Sequence, residues 1–242
     1  MFFTTVFNLF FYQPLLNILI LFYLYLPVRD FGVAVVLLTL LIKLLLLPVS
    51  LKASRSQKAI GDVQIKVKEI QEKYKKDKEA QSRALLALYQ KEKISPLAGC
   101  LPVLFQLPIL IALYRVFLTG LKPEVLETSL YHFIAQPERV NLIFLGIIDL
   151  SQPNWFLAVL SGVLQFFQTK FSLPRVGAKK TAVSSASFFE NQMLYFFPIL
   201  TVFIVWKMGG IIGLYWITST LFSLAEQYII GKQKKAAEGE KG

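Results

Sequence analysis

The chain alternates between long apolar runs and short polar stretches. Residues 31–51, 96–119, 155–173, 191–207 and 210–230 are each dominated by Leu, Ile, Val, Phe and other apolar residues. Each approaches or exceeds the roughly 20 residues that carry a helix across about 30 Å of hydrocarbon. The pattern predicts an all-α polytopic membrane protein with five transmembrane helices. A further apolar stretch, within residues 1–30, is broken by Asn8, Gln13, Pro14 and Asn17. As a sixth crossing it would need a turn of only a few residues around Pro27-Val28-Arg29-Asp30. It reads equally well as an aromatic-rich helix lying in the membrane interface.

Between the first two spans the character changes. Residues 52–95 hold 12 Lys/Arg against 6 Asp/Glu. Ile60, Val63, Val67, Ile70 and Tyr74 repeat at spacings of three and four, the apolar seam of an amphipathic helix. A second helix is predicted over about 79–93, with Leu85, Leu88 and Tyr89 on its apolar side. The two are read as an antiparallel helical hairpin beside the membrane, with a solvated connector as the alternative; two apolar seams favour the hairpin, and its basic faces suit anionic lipid. Ser95-Pro96 provides an N-cap and first-turn proline for the next span. The loop 174–190 and the tail 231–242 are also basic, whereas the loop 120–154 is not. Cytoplasmic loops carry the Lys/Arg excess. Alternation then places the hairpin, the 174–190 loop and the C-terminus in the cytoplasm, and the N-terminal end of the first span outside.

Polar residues inside the spans carry the candidate chemistry. Lys43 stands in "LLTLLIKLLLLPV", where an ammonium costs roughly 2.5–3.5 kcal/mol on insertion scales. In a straight helix ending at Leu51 it lies about 12 Å from the cytoplasmic end, about twice the reach of a lysine stem. Thr39 and Ser50 share its face. Ser161, Gln165, Gln168 and Ser172 form one face of the third span. Trp216, Ser219, Ser223 and Glu226 or Gln227 form one face of the fifth. Gln106 lies in the second span and Thr201 in the fourth. One polar stripe per helix suits a water-filled cavity within the membrane; for the Ser and Thr members, hydrogen bonding between helices explains the pattern as well. Glu226, near the inner end of the last span, is the one acidic candidate partner for Lys43.

Composition narrows the alternatives. The chain is 55% hydrophobic with a mean hydropathy of +0.55 and 21 Phe, more apolar surface than a soluble domain of this size would bury. The N-terminus does not read as a cleavable signal. The single Cys100 excludes an intrachain disulfide. No phosphate-binding G-x-x-x-x-G-K-[ST] motif occurs, no metal-ligand cluster surrounds the lone His132, and no nucleophile–base pair stands out. No cofactor is expected.

Four stretches carry a family resemblance: "GVAVVLLTLLIKLLLLPVSLKASRSQKAI", "IQEKYKKDKEAQSRALLALYQKEKISPLAGCLPVLFQLPILIALYRV", "LSGVLQFFQTK" and "MLYFFPILTVFIVWKMGGIIGLYWITSTLFSLAEQYII". In order and spacing they resemble the YidC-type membrane protein insertase family, which has mitochondrial and chloroplast relatives. The resemblance runs over nearly the whole chain from about Leu15. It implies five spans with the N-terminus outside and the C-terminus in the cytoplasm. It also implies an interfacial helix over residues 1–30 instead of a sixth crossing, and a cytoplasmic hairpin over 52–95. A hydrophilic groove is implied, open to cytoplasm and lipid, closed outside, and carrying one positive residue. The family usually has Arg there; the matching position is Lys43, which keeps the charge but loses the bidentate fork. The turn before "LYW" also departs, being Met208-Gly209-Gly210.

The expected function is insertion of client transmembrane segments into the plasma membrane of a bacterium, without ATP. The groove residues would be Lys43, Thr39, Ser50, Gln106, Ser161, Gln165, Gln168, Thr201, Trp216 and Ser219. Expected partners are nascent membrane proteins, the Sec translocon, the ribosome and anionic lipids, with no sequence-specific nucleic-acid binding. The alternative is a secondary transporter or channel using Lys43 as an anion site. It predicts internal repeats, and the chain shows none.

Overall fold

A computed structural model describes residues 2–92, 101–172 and 185–239. The expected Ser95-Pro96 cap, Cys100 and most of the 174–190 loop lie outside the described residues. The described chain is mostly helical: α1 (Phe2–Phe7), α2 (Gln13–Tyr25), α3 (Phe31–Leu45), α4 (Leu47–Asp62), α5 (Gln64–Lys73), α6 (Lys78–Lys91), α7 (Leu101–Arg115), α8 (Pro123–Ser129), α9 (Trp155–Ser172), α10 (Ser185–Met208) and α11 (Gly210–Gly239). The all-α expectation needs one correction. Strands β1 (Ile143–Phe144) and β2 (Ile148–Asp149) pair antiparallel in the loop before α9. Leu145 and Gly146 both have positive φ, 52° and 71°, the geometry of a tight primed hairpin turn.

Helices α1 and α2 are joined by a π-helical turn at Asn8–Tyr12. Pro14 explains it: a proline has no N–H to donate and its ring crowds the carbonyl four residues back. By length and hydropathy Thr4–Tyr25 is long and apolar enough to cross a bilayer. Phe31–Leu45 with Leu47–Ser54 qualifies if that pair, bent by 62°, is counted as one span, and Gln106–Gly120 and Leu194–Met208 are shorter apolar helices.

The bend at Leu46 alters the sequence-based geometry. Pro48 withholds a donor from the helix and its ring opposes the carbonyl of Leu44. Lys43 therefore lies in the last turn of α3, not deep inside a straight helix ending at Leu51. There the negative end of the α3 dipole favours a cation. The helix that follows leaves at an angle, so the 12 Å depth calculated for a straight span does not apply.

The core is one apolar cluster. Leu16, Ile20, Val35, Leu38, Leu113, Ile211, Ile212 and Tyr215 are almost fully buried in it. α9 packs closely on both α10 and α11. Small residues permit this approach: a Cβ on Gly162 would fall 2.3 Å from Val202 Cγ2, and one on Gly213 2.9 Å from Leu157 Cβ.

The loop between α7 and α9 is tied to the N-terminal helices and to the starts of two others. Asn17, 1% exposed, donates to the Gln13 carbonyl at 2.8 Å and to the Ser129 carbonyl at 2.9 Å, and accepts from the Tyr131 N–H at 2.7 Å. The Tyr23 hydroxyl donates to the Arg139 carbonyl and accepts from the Asn141 N–H. Asp30 caps α3 through the Val33 N–H at 3.1 Å and accepts from the Leu145 N–H at 2.6 Å. The Gly210 N–H donates to the Gln152 carbonyl, which sets the loop on the first residue of α11. Phe144 lies against Gly32 at the start of α3.

α5 and α6 run antiparallel and pack on each other. Asp77 caps α6 by accepting from the Glu79 and Ala80 N–H groups. Leu85, Leu88 and Tyr89 are half-buried, as their spacing predicts. The seam that begins at Ile60 is not one helix, because the chain breaks at Val63 between α4 and α5. Lys66 meets Glu92 across the pair at 2.7 Å. That ammonium's hydrogen bond holds the Glu92 carboxyl below its ordinary range. A carboxyl with a lowered folded-state value stabilises above the unfolded value near 4.3 and ceases to do so as pH falls through the folded one. Protection of the α6 amides, taken relative to the unfolded-chain exchange rate at each pH, is therefore expected to fall below about pH 4, and Glu92→Gln is expected to lower it at neutral pH and flatten its acid dependence.

Candidate functional site

The polar stripes converge on α11. On one side lie α3 and α4. The Lys43 ammonium donates to the Ser223 hydroxyl at 3.2 Å. Three residues further along α11, Glu226 is 7% exposed and accepts from the Ser50 hydroxyl at 3.0 Å and from that of Ser54 at 3.5 Å. Ser50 and Ser54 are four residues apart on α4 and so share a face. The carboxylate acts electrostatically on Lys43, but the two make no ion pair within 4.0 Å. The ion pairs among the described residues are Lys66–Glu92 and Arg83–Glu79.

On another side lies α9. The Trp216 indole N–H donates to Gln165 Oε1 at 3.0 Å. The Ser161 hydroxyl donates to the Leu157 carbonyl at 2.7 Å and reaches the Gly213 carbonyl at 3.4 Å. Further along, Gln227 Nε2 donates to the Ser172 hydroxyl at 2.6 Å. From α7, the Gln106 amide bonds the Tyr215 hydroxyl. Tyr215 is 2% exposed, and a buried phenol needs such a partner.

The site residues expected from sequence thus fall into three sets. Lys43 and Ser50 meet α11 beside Ser223 and Glu226. Gln165 and Ser161 meet it beside Trp216 and Gly213. Gln106 meets it at Tyr215. Thr39 differs: its hydroxyl, buried, is used on the Val35 carbonyl of its own helix at 2.7 Å. Thr201 and Ser219 are buried. Gln168 is half-buried, and its backbone carbonyl accepts from the Ser172 hydroxyl.

Sequence reasoning passed over Ser54 and Tyr215. Ser54 sits in a stretch read as cytoplasmic hairpin, and its spacing from Ser50 was the available signal. Tyr215 belongs to an apolar run, and its hydroxyl gives no periodic mark. Arg115 was also passed over. It donates to Asn8 Oδ1 at 2.8 Å and lies over the Phe7 and Tyr12 rings at 5.8 and 5.0 Å, so the π-turn region is fastened to the end of α7. His132 is exposed, and no cluster of three potential metal ligands occurs among the described residues.

Residues 22–238 match the family described as 60Kd inner membrane protein. The chain belongs to this family, that of the YidC membrane protein insertases. The membrane protein insertase YidC of Fusobacterium nucleatum subsp. nucleatum is 34% identical over 206 residues, 85% of this chain and 88% of that one. The namesake from Francisella tularensis subsp. novicida is 32% identical over 209 residues, 86% of this chain but 34% of its own length. The chain therefore spans about a third of that longer relative. In this YidC-family chain α11 receives polar side chains from α3, α4, α7 and α9 through Ser223, Glu226, Tyr215 and Trp216.

The Trp216–Gln165 bond joins α9 and α11 between two further polar contacts, Ser161 with Gly213 and Gln227 with Ser172. Gln165→Leu is expected to lower stability by about 1–2 kcal/mol, because it leaves the indole N–H unpaired. Trp216→Phe combined with Gln165→Leu is expected to cost less than the sum of the two single changes. Unfolding in detergent, followed across the four proteins of the cycle, checks the coupling.

Proposed function

We propose that this YidC-family chain inserts client transmembrane segments through a polar groove lined by α3, α9 and α11, without ATP. The observation that carries the reading is Lys43: a cation in a leucine-rich helix, held by one hydroxyl, with polar partners from α4 and α11 around it. A lysine ammonium has three N–H donors, and Ser223 takes one of them. An acidic client flank 4 Å away would be attracted by about 4 kcal/mol at an effective dielectric of about 20, before desolvation is counted. That is enough to recruit a flank and little enough to release it. Once the polar flank is drawn in, the apolar part of the client slides into lipid.

Five spans, a cytoplasmic C-terminus and an interfacial α1–α2 belong to the same proposal. One structural relation favours the interfacial placement although Thr4–Tyr25 is long enough to cross. Asn17 and Tyr23 both bond the loop between α7 and α9, and Gln13 reaches the Ser129 carbonyl at 3.4 Å. These contacts extend about 15 Å along the helix. A helix lying beside that loop makes such contacts along its length, whereas a crossing helix would meet the loop at one end. The exposed, charged α5–α6 pair suits contact with clients, the ribosome or anionic lipid. The Sec translocon is the proposed neighbour for larger clients.

A cysteine replacing Lys76 is expected to react only with reagents admitted to the cytoplasm, and one replacing Glu138 only from outside. Labelling of a cysteine at Phe2 from the cytoplasm would instead establish a sixth crossing.

The groove reading is tested in ATP-free proteoliposomes with single-span clients that differ only in flank charge. Lys43→Arg is expected to retain or improve insertion. Lys43→Ala is expected to fold yet lose insertion of the acidic-flank client roughly tenfold or more. Lys43→Glu is expected to lose most on that client. Equal insertion of acidic and neutral clients by the parent and by Lys43→Ala would remove the capture role. Solute flux without insertion would favour the transporter alternative.

A further inference from the structure

The insertase reading leaves Glu226 without a role. A buried carboxylate is costly unless hydrogen-bonded, and this one is held by two serines of α4, beyond the bend, while its field acts on Lys43 from α11. It stops short of an ion pair with Lys43, whose ammonium is on the neutral Ser223 hydroxyl instead. Direct pairing would occupy the ammonium and deny it to any other anion. The serines hold the carboxylate in place without closing that contact.

We propose that Glu226 is the resident rival of an acidic client flank at Lys43, and so a specificity-determining residue. This rests on the insertase reading. With no client bound, Glu226 balances the charge of Lys43 and lowers the cost of keeping a cation there. When an acidic flank reaches Lys43, the like charge of Glu226 repels it. Repulsion weakens capture, shortens the flank's stay and limits how strongly the groove prefers acidic clients over neutral ones. Like charges in a partly dehydrated site interact over several ångströms, so the carboxylate acts without touching the client. Ser50 and Ser54 are positioning residues: they aim the carboxylate from a helix that the Leu46 bend turns toward α11.

The test compares an acidic-flank client with a neutral-flank client in proteoliposomes. It reads both insertion and the yield of flank crosslinking to a photoreactive group replacing Ser219. Glu226→Gln retains an oxygen acceptor for the serines but removes the charge. It is expected to raise the acidic-to-neutral crosslinking ratio at least threefold over the parent, and Glu226→Asp is expected to restore the parent ratio. The gain is expected to vanish in Lys43→Gln with Glu226→Gln. A second comparison does not need Glu226→Gln to fold on its own. In Lys43→Gln with Glu226 intact, assayed at about pH 9 so that the buried carboxyl keeps its charge without a cation beside it, the carboxylate is expected to press the acidic client below the neutral one. An unchanged ratio in Glu226→Gln, a gain that persists without Lys43, or equal handling of both clients by Lys43→Gln overturns the proposal. Failure of the parent to insert either client overturns the insertase reading instead, so the two failures are distinguishable.

Discussion

The ammonium of Lys43 has to be satisfied inside the chain, and much of the arrangement around it follows from that requirement. Pro48 ends the straight run of α3 soon after the lysine, which brings the cation to a helix terminus where the helix dipole favours it. The same bend sends α4 off at an angle, so that Ser50 and Ser54 reach the carboxylate on α11. Ser223 then supplies the direct hydrogen bond. Three helices are brought to one place by a charge that none of them could hold alone. The geometry leaves positive and negative groups near each other yet unpaired, an arrangement suited to exchanging partners more than to maximal stability.

α11 is the shared surface. It receives Lys43 through Ser223, α4 through Glu226, α9 through Trp216, Gly213 and Gln227, and α7 through Tyr215. In hydrocarbon, a polar side chain gains little by facing lipid and most by facing another helix. The polar stripes are therefore mostly fastened to one another. Thr39 and Ser161 donate to carbonyls of their own helices, which makes them packing residues in this state. Lys43, Ser223 and Glu226 remain the group with charge to offer.

At the starts of α3 and α11, hydrogen bonds join the helices to the loop between α7 and α9. Asp30, Asn17 and Tyr23 tie the N-terminal helices to the loop between α7 and α9, and Gly210 ties that loop to α11. Gly32 and Gly210 allow Phe144 and Leu150 to approach the helix starts closely.

The sequence by itself determined that the chain is helical, apolar and a YidC-family member, and it singled out Lys43, Gln165, Trp216 and Glu226. Those features are local: run length, a charge among leucines, spacings of three and four along a helix, and motifs such as "LYW". Periodicity says which side chains share a face, so the stripe on α9 was legible before its partner was known. The tertiary structure alone decided which stripe meets which. It also decided that the lysine lies at a helix end, since a proline marks a possible bend without stating its angle. The break at Val63 interrupts a seam that spacing alone presents as continuous. The hairpin at Ile143–Asp149 escaped because two-residue strands leave no usable alternation. Ser54 and Tyr215 gained their roles only when distant helices came together, because a hydroxyl's partner is set by packing and not by its position in the chain.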